Sequence, residues 1–105
     1  MSGAFGDMGN LLKQAQKMQR ELDKAREELK AARVEGSAGG VVKVEFTGDG
    51  QILGVQISPE ALTGDASMLE DLVQAAVRDA LTRAATLRSE LEGKVTGGFD
   101  LPGFF

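Results

Sequence analysis

The chain has 105 residues, a net charge of −4 and no Cys, His, Trp or Tyr, which fits one domain with a modest core. Without Cys there are no disulfides, thiolate metal sites or thiol nucleophiles, and without His the commonest general acid–base and metal ligand is missing. No apolar run nears the ~20 residues of a membrane span, and Met1–Asn10 lacks the basic-then-apolar order of a signal peptide, so the expectation is a cytoplasmic chain with no membrane partner, cofactor, metal or catalytic residue.

The first predicted element is a helix over about 8–33. Apolar residues stand at Met8, Leu11, Ala15, Met18, Leu22, Ala25, Leu29 and Ala32, in alternating steps of 3 and 4. That is a heptad seam of the coiled-coil kind, and Asp7 or Asn10 can cap its start. About 26 residues at ~1.5 Å each make a rod of roughly 39 Å. A compact domain of this length is only about 33 Å across. The rod should overhang its own subunit, and a second copy is the simplest cover for the seam. Leu11, Met18, Leu22 and Leu29 are the expected dimer-interface residues.

Three strands follow, at about 34–37, 41–47 and 52–57. Val42, Val44 and Phe46 alternate with polar residues, as do Leu53, Val55 and Ile57 with their neighbours. Asp49-Gly50 has the composition of a two-residue hairpin turn. That turn pairs Phe46 with Leu53, Val44 with Val55 and Val42 with Ile57, all on one face. Ser58-Pro59-Glu60 ends the third strand and can open a short helical turn.

Ser67 with Glu70 reads as a capping box for a second helix over about 67–92, ended by Gly93. Its stripe is Leu69, Val73, Ala76, Ala80, Ala84, Leu87 and Leu91, widened by Leu72 and Leu81, as for a helix packed on a sheet. Nothing in the pattern says which long helix covers the sheet. Residues 94–105 read as an irregular tail. Its Phe99, Phe104 and Phe105 fit docking on a partner or folding back on the chain's own core. The whole is one α+β domain over 1–105: a long N-terminal helix, a three-stranded antiparallel sheet and a long C-terminal helix.

Charge is unevenly spread. Residues 1–33 hold seven Lys/Arg against five Asp/Glu, residues 34–66 one against five, and residues 67–105 four against six. Lys13, Lys17, Arg20 and Lys24 fall at steps of 4, 3 and 4, one helical stripe beside the apolar seam. Such a stripe suits phosphate contacts, and equally suits a solvated helix face. Arg78, Arg83 and Arg88, with Lys94, step by 5, 5 and 6 and spiral round the second helix among Asp79, Glu90 and Glu92; local ion pairs fit them at least as well. The stretch Gly36 to Lys43 lacks the spacing of a phosphate loop and leads into a strand, so it reads as a turn. Asp49 and Asp65 read as turn residues. Glu70 and Asp71 read as favourable charge at a helix start.

Several segments resemble the YbaB/EbfC family of bacterial nucleoid-associated proteins. They are Leu12-Lys13-Gln14-Ala15-Gln16-Lys17-Met18-Gln19; Val34-Glu35-Gly36 through Ala38-Gly39-Gly40-Val41-Val42-Lys43-Val44; Val55-Gln56-Ile57-Ser58-Pro59-Glu60; Leu69-Glu70-Asp71-Leu72-Val73-Gln74-Ala75-Ala76; and Thr96-Gly97-Gly98-Phe99-Asp100-Leu101-Pro102-Gly103-Phe104. Their order and spacing carry the resemblance. It implies a tweezer-like α+β homodimer in the nucleoid that binds double-stranded DNA with little sequence preference, through its two long helices. The DNA-contact candidates are Lys13, Lys17, Arg20, Lys24, Arg78, Arg83 and Arg88, chosen by charge and helix geometry. The rival expectation is a protein–protein adaptor for DNA replication or repair proteins, to which the acidic balance and the Phe-rich tail point.

Overall fold

A computed structural model describes residues 2–97, with side chains from Asp7 onward. The chain runs α1 (Ser2–Ala31), β1 (Arg33–Ala38), β2 (Val42–Thr47), β3 (Ile52–Ile57), a 3₁₀ turn (Pro59–Leu62) and α2 (Ala66–Gly97). The strands form one antiparallel sheet in the order β1-β2-β3.

Both helices are longer than their sequence patterns suggest. α1 begins at Ser2, so Asp7 and Asn10 lie inside it and neither caps it. Gly9 interrupts nothing: a glycine costs about 1 kcal/mol against alanine in a helix but keeps its N–H. At the other end Ala32 N–H donates to Glu28 O at 2.9 Å, and Arg33 has already joined β1. α2 starts one residue earlier than expected, and its cap is Asp65, whose Oδ1 accepts from Met68 N–H at 2.8 Å. This replaces the Ser67–Glu70 box. Gly93 does not end α2. The helix runs on to Gly97, and the Thr96 hydroxyl donates to Glu92 O at 3.1 Å. Residues 94–97 are therefore helical, and the rest of the expected tail lies outside the described residues.

The β2–β3 hairpin departs from its predicted geometry in one respect. Gly50 N–H donates to Thr47 O at 3.0 Å, and Thr47 N–H donates to Gln51 O at 2.8 Å. The loop is thus three residues, Gly48 to Gly50, with Gly50 left-handed at φ +93°. A loop of this kind closes on a left-handed residue that glycine adopts without strain. The longer loop shifts the register by one at its mouth, so Phe46 pairs with Ile52 instead of Leu53. Leu53 is the extra residue of a bulge. Beyond it Val44 pairs with Val55 and Val42 with Ile57, as the alternation predicts.

α2, not α1, covers the sheet. Val42, Val44 and Phe46 are buried against Ala76 and Ala80, together with Ala61 of the 3₁₀ turn. Val34, Ala38, Val41, Leu69, Leu72, Val73 and Val77 pack round that core. Each large apolar side chain buried there contributes roughly 1.5–3 kcal/mol. The alanines on α2 let it lie close to the strands.

One helix cannot cover three strands. A helix is about 10 Å wide and strands are ~4.8 Å apart, so α2 over β1 and β2 leaves β3 bare. All six β3 residues are exposed, Ile52, Val55 and Ile57 among them. The molecule measures 77 × 23 × 15 Å with a radius of gyration of 20.8 Å. A compact chain of this length would have about 13 Å. The excess comes from the two helices, which project past the sheet.

Candidate nucleic-acid interface

α1 and α2 run antiparallel beyond the sheet. Arg26, Leu29 and Lys30 face Leu81, Ala84, Ala85 and Arg88 near the β2–β3 turn. Further out, Glu21, Lys24, Ala25 and Glu28 face Leu91, Lys94 and Val95. The α1 seam therefore serves its own subunit first. Leu29 is 2 % exposed and Ala25 4 %, Leu22 and Met18 are half-buried, and Leu11 is exposed. Leu29, an expected dimer residue, is a core residue of the single chain, held by α2 and by the Gly48 turn.

Lys13, Lys17, Arg20 and Lys24 are all exposed on α1. Their spacing fixes this: in the heptad whose seam is Met8, Leu11, Ala15 and Met18, these four positions lie away from the seam. Lys24 sits where α1 meets α2, and the other three stand further out along the projecting part.

Ion pairing separates the cations into two groups. Six of the chain's twelve Lys/Arg pair with a carboxylate of the described residues: Arg26 with Asp23, Lys30 with Glu27, Arg33 with Glu45, Lys43 with Glu35, Arg83 with Asp79 and Arg88 with Glu92. The four stripe residues have no such partner within 4.0 Å among the described residues, and neither have Arg78 and Lys94. An exposed helical pair is worth only about 0.3–0.5 kcal/mol. A phosphate can therefore compete for Arg83 or Arg88, but it meets the repulsion of the adjacent carboxylate. Lys13 has no acid within four residues on either side, and Lys17 and Arg20, although Glu21 and Asp23 follow on the next turn, make no ion pair with them within 4.0 Å.

Asp79 has a structural duty that the sequence did not signal. Its Oδ2 accepts from Ser37 N–H of β1 at 3.1 Å, and its Oδ1 from Arg83 Nε at 3.3 Å. The Ser37 bond holds the carboxyl below its usual value, partial desolvation opposes this, and the Arg83 charge assists. Arg83 is thereby tied to the α2–β1 junction, so the two helices differ: α1 presents free cations, and two of the three α2 arginines are paired.

The small α+β body thus projects a helix that carries an exposed row of cations without an ion pair within 4.0 Å among the described residues. A model of the YbaB/EbfC DNA-binding family matches residues 5–99. The chain belongs to that family. Among similar sequences are nucleoid-associated proteins of Clostridium perfringens, 44 % identical over 98 % of this chain and 94 % of theirs, and of Alkaliphilus metalliredigens, 40 % identical over 98 % and 92 %. Among solved structures, the uncharacterized protein HP0035 from Helicobacter pylori aligns with a TM-score of 0.71 at 26 % identity, covering 89 % of this chain and 97 % of that one. The family is defined by DNA binding, not by a reaction, and no described helix is long and apolar enough to cross a membrane.

Proposed function

We propose that the chain is a nucleoid protein that binds double-stranded DNA as a homodimer, gripping phosphates with little regard to sequence. One observation carries this: half of the chain's cations are paired in place, whereas Lys13, Lys17, Arg20 and Lys24 line an exposed helix and make no ion pair within 4.0 Å among the described residues. From Lys13 to Lys24 the stripe runs about 17 Å, the length of roughly five base pairs. Each phosphate neutralised releases counterions, and that release supplies the affinity. Arg78, Arg83 and Arg88 of α2 form a second, weaker set. The net charge of −4 does not oppose this strongly, because fields are screened over about 8 Å at physiological salt.

The bare β3 is the surface we assign to the second copy. It is a sheet edge with unpaired backbone groups, and it exposes Ile52, Val55 and Ile57. An exposed apolar edge strand is an aggregation hazard unless another chain covers it. Joining two subunits there leaves the helical arms of both free to reach the duplex.

Titrating the protein with unrelated duplexes at several salt concentrations tests the DNA reading. Affinity should fall steeply with salt, with a log–log slope of about −0.9 per phosphate contacted, and should differ little between sequences. Failure to bind any duplex at low salt would remove the reading.

A further inference from the structure

The apolar seam of α1 emerges from under α2 partway along its length. Ala25 and Leu29 are buried, Met18 and Leu22 half-buried, Ala15 exposed, and Met8 and Leu11 exposed at 60 % and 54 %. Burial fades in the direction in which α2 runs out. Leu91 and Val95 already face Glu21 and Ala25, so Gly97 is carried to the turn of α1 near Met18. The uncovered seam continues from there in line with α2.

The residues that follow Gly97 match what is missing. Residues 98–105 read Gly-Phe-Asp-Leu-Pro-Gly-Phe-Phe, with four large apolar side chains and one acid. Extended, eight residues span about 26 Å. From Met18 to Met8 the seam measures only about 15 Å. Pro102 lacks the amide N–H that a helix interior requires. A segment joined to the helix beside its target also acts at an effective concentration in the millimolar range, which a second copy does not match at micromolar protein.

We propose that residues 98–105 lie along the α1 seam of their own chain and cover Met8, Leu11, Ala15 and Met18. The Phe-rich tail is then an internal staple of the arm, neither a hook for another protein nor part of the subunit contact. This does not depend on the DNA reading.

The natural absence of Cys makes a clean test. Full-length double variants combine Leu11→Cys or Ala15→Cys with Phe99→Cys, Leu101→Cys or Phe104→Cys. Asn10→Cys, pointing away from the seam, replaces the helix partner in the control. A disulfide needs Cα atoms within about 7 Å. Mild oxidation at low micromolar protein should consume most of the free thiol in at least one seam pairing and little in the Asn10 controls. The product should keep the mass of one chain on a non-reducing gel. Circular dichroism matching the parent shows that each variant is folded, and Ala15→Cys is the gentle alternative where Leu11→Cys is not. Thiols left free in every pairing would overturn the proposal. So would links formed only between chains when single variants are mixed, or a Leu11→Cys to Leu11→Cys link, which would give the seam to a second copy.

Discussion

Gly36 of β1 and Ala80 of α2 meet with no room for a side chain between them. A Cβ built on Gly36 falls 2.7 Å from the Ala80 Cβ and overlaps the backbone of Ala76 and Ala80. Gly36 is not among the left-handed glycines, so its constraint is steric. The neighbours it would strike include helix backbone, which cannot move aside alone. This contact sets how closely α2 lies on the sheet, and so how the helical arms leave it.

Gly36→Ala should therefore destabilise the fold at the upper end of the overpacking range, about 3 kcal/mol. For a domain of this size that lowers Tm by roughly 12 °C or more. Thermal unfolding followed by circular dichroism at fixed protein concentration checks this. A shift of only a degree or two would mean that α2 is free to lift off the strands.

Asp79 links acid sensitivity to the same junction. Its carboxyl is held below the usual aspartate value, first by the Ser37 amide. A group depressed in the folded state contributes stability above its unfolded value, near pH 4, and loses it as pH falls through the folded value. Asp79→Asn should lower Tm at pH 7, and the gap to the parent should narrow below pH 4. A gap of constant size down to pH 2 would contradict the assigned role. Melting curves across that range distinguish the two.

The subunit contact assigned to β3 makes a separate prediction. Val55→Lys with Ile57→Lys places two cations where a second copy should sit. An uncompensated buried charge costs several kcal/mol. About 3 kcal/mol would weaken association more than 100-fold. Sedimentation should show the parent as a dimer and the variant as a folded single chain at the same micromolar concentration. A dimer unaffected by both substitutions would put the contact elsewhere.

Particular residues show where sequence reasoning reached its limit. The alternation at Val42, Val44 and Phe46 and the heptad steps of α1 are local signals, and they placed the strands and the first helix. The Phe46–Leu53 pairing failed because Asp49-Gly50 reads as a two-residue turn, whereas the three-residue loop and the Leu53 bulge cancel each other and leave the rest of the register unchanged. Gly93 looked like a stop, but a single glycine weakens a helix without breaking it. Leu29 looked free because helix length says nothing about whether another helix runs beside it. The exposure of β3 could have been anticipated by comparing the width of one helix with that of three strands. The partnership of each cation was not legible, since Arg83 and Arg88 pair with acids four residues away whereas Lys17, with Glu21 at the same spacing, does not.

The central claim is that the free cations of α1 hold DNA phosphates. Its most direct measurement is the salt dependence of duplex binding by the variant Lys13→Gln, Lys17→Gln, Arg20→Gln beside the parent. Three lost contacts should make the log–log slope shallower by about 2.7 and weaken binding by the same factor on unrelated sequences, with folding intact. A variant whose slope and affinity equal the parent's would contradict the claim.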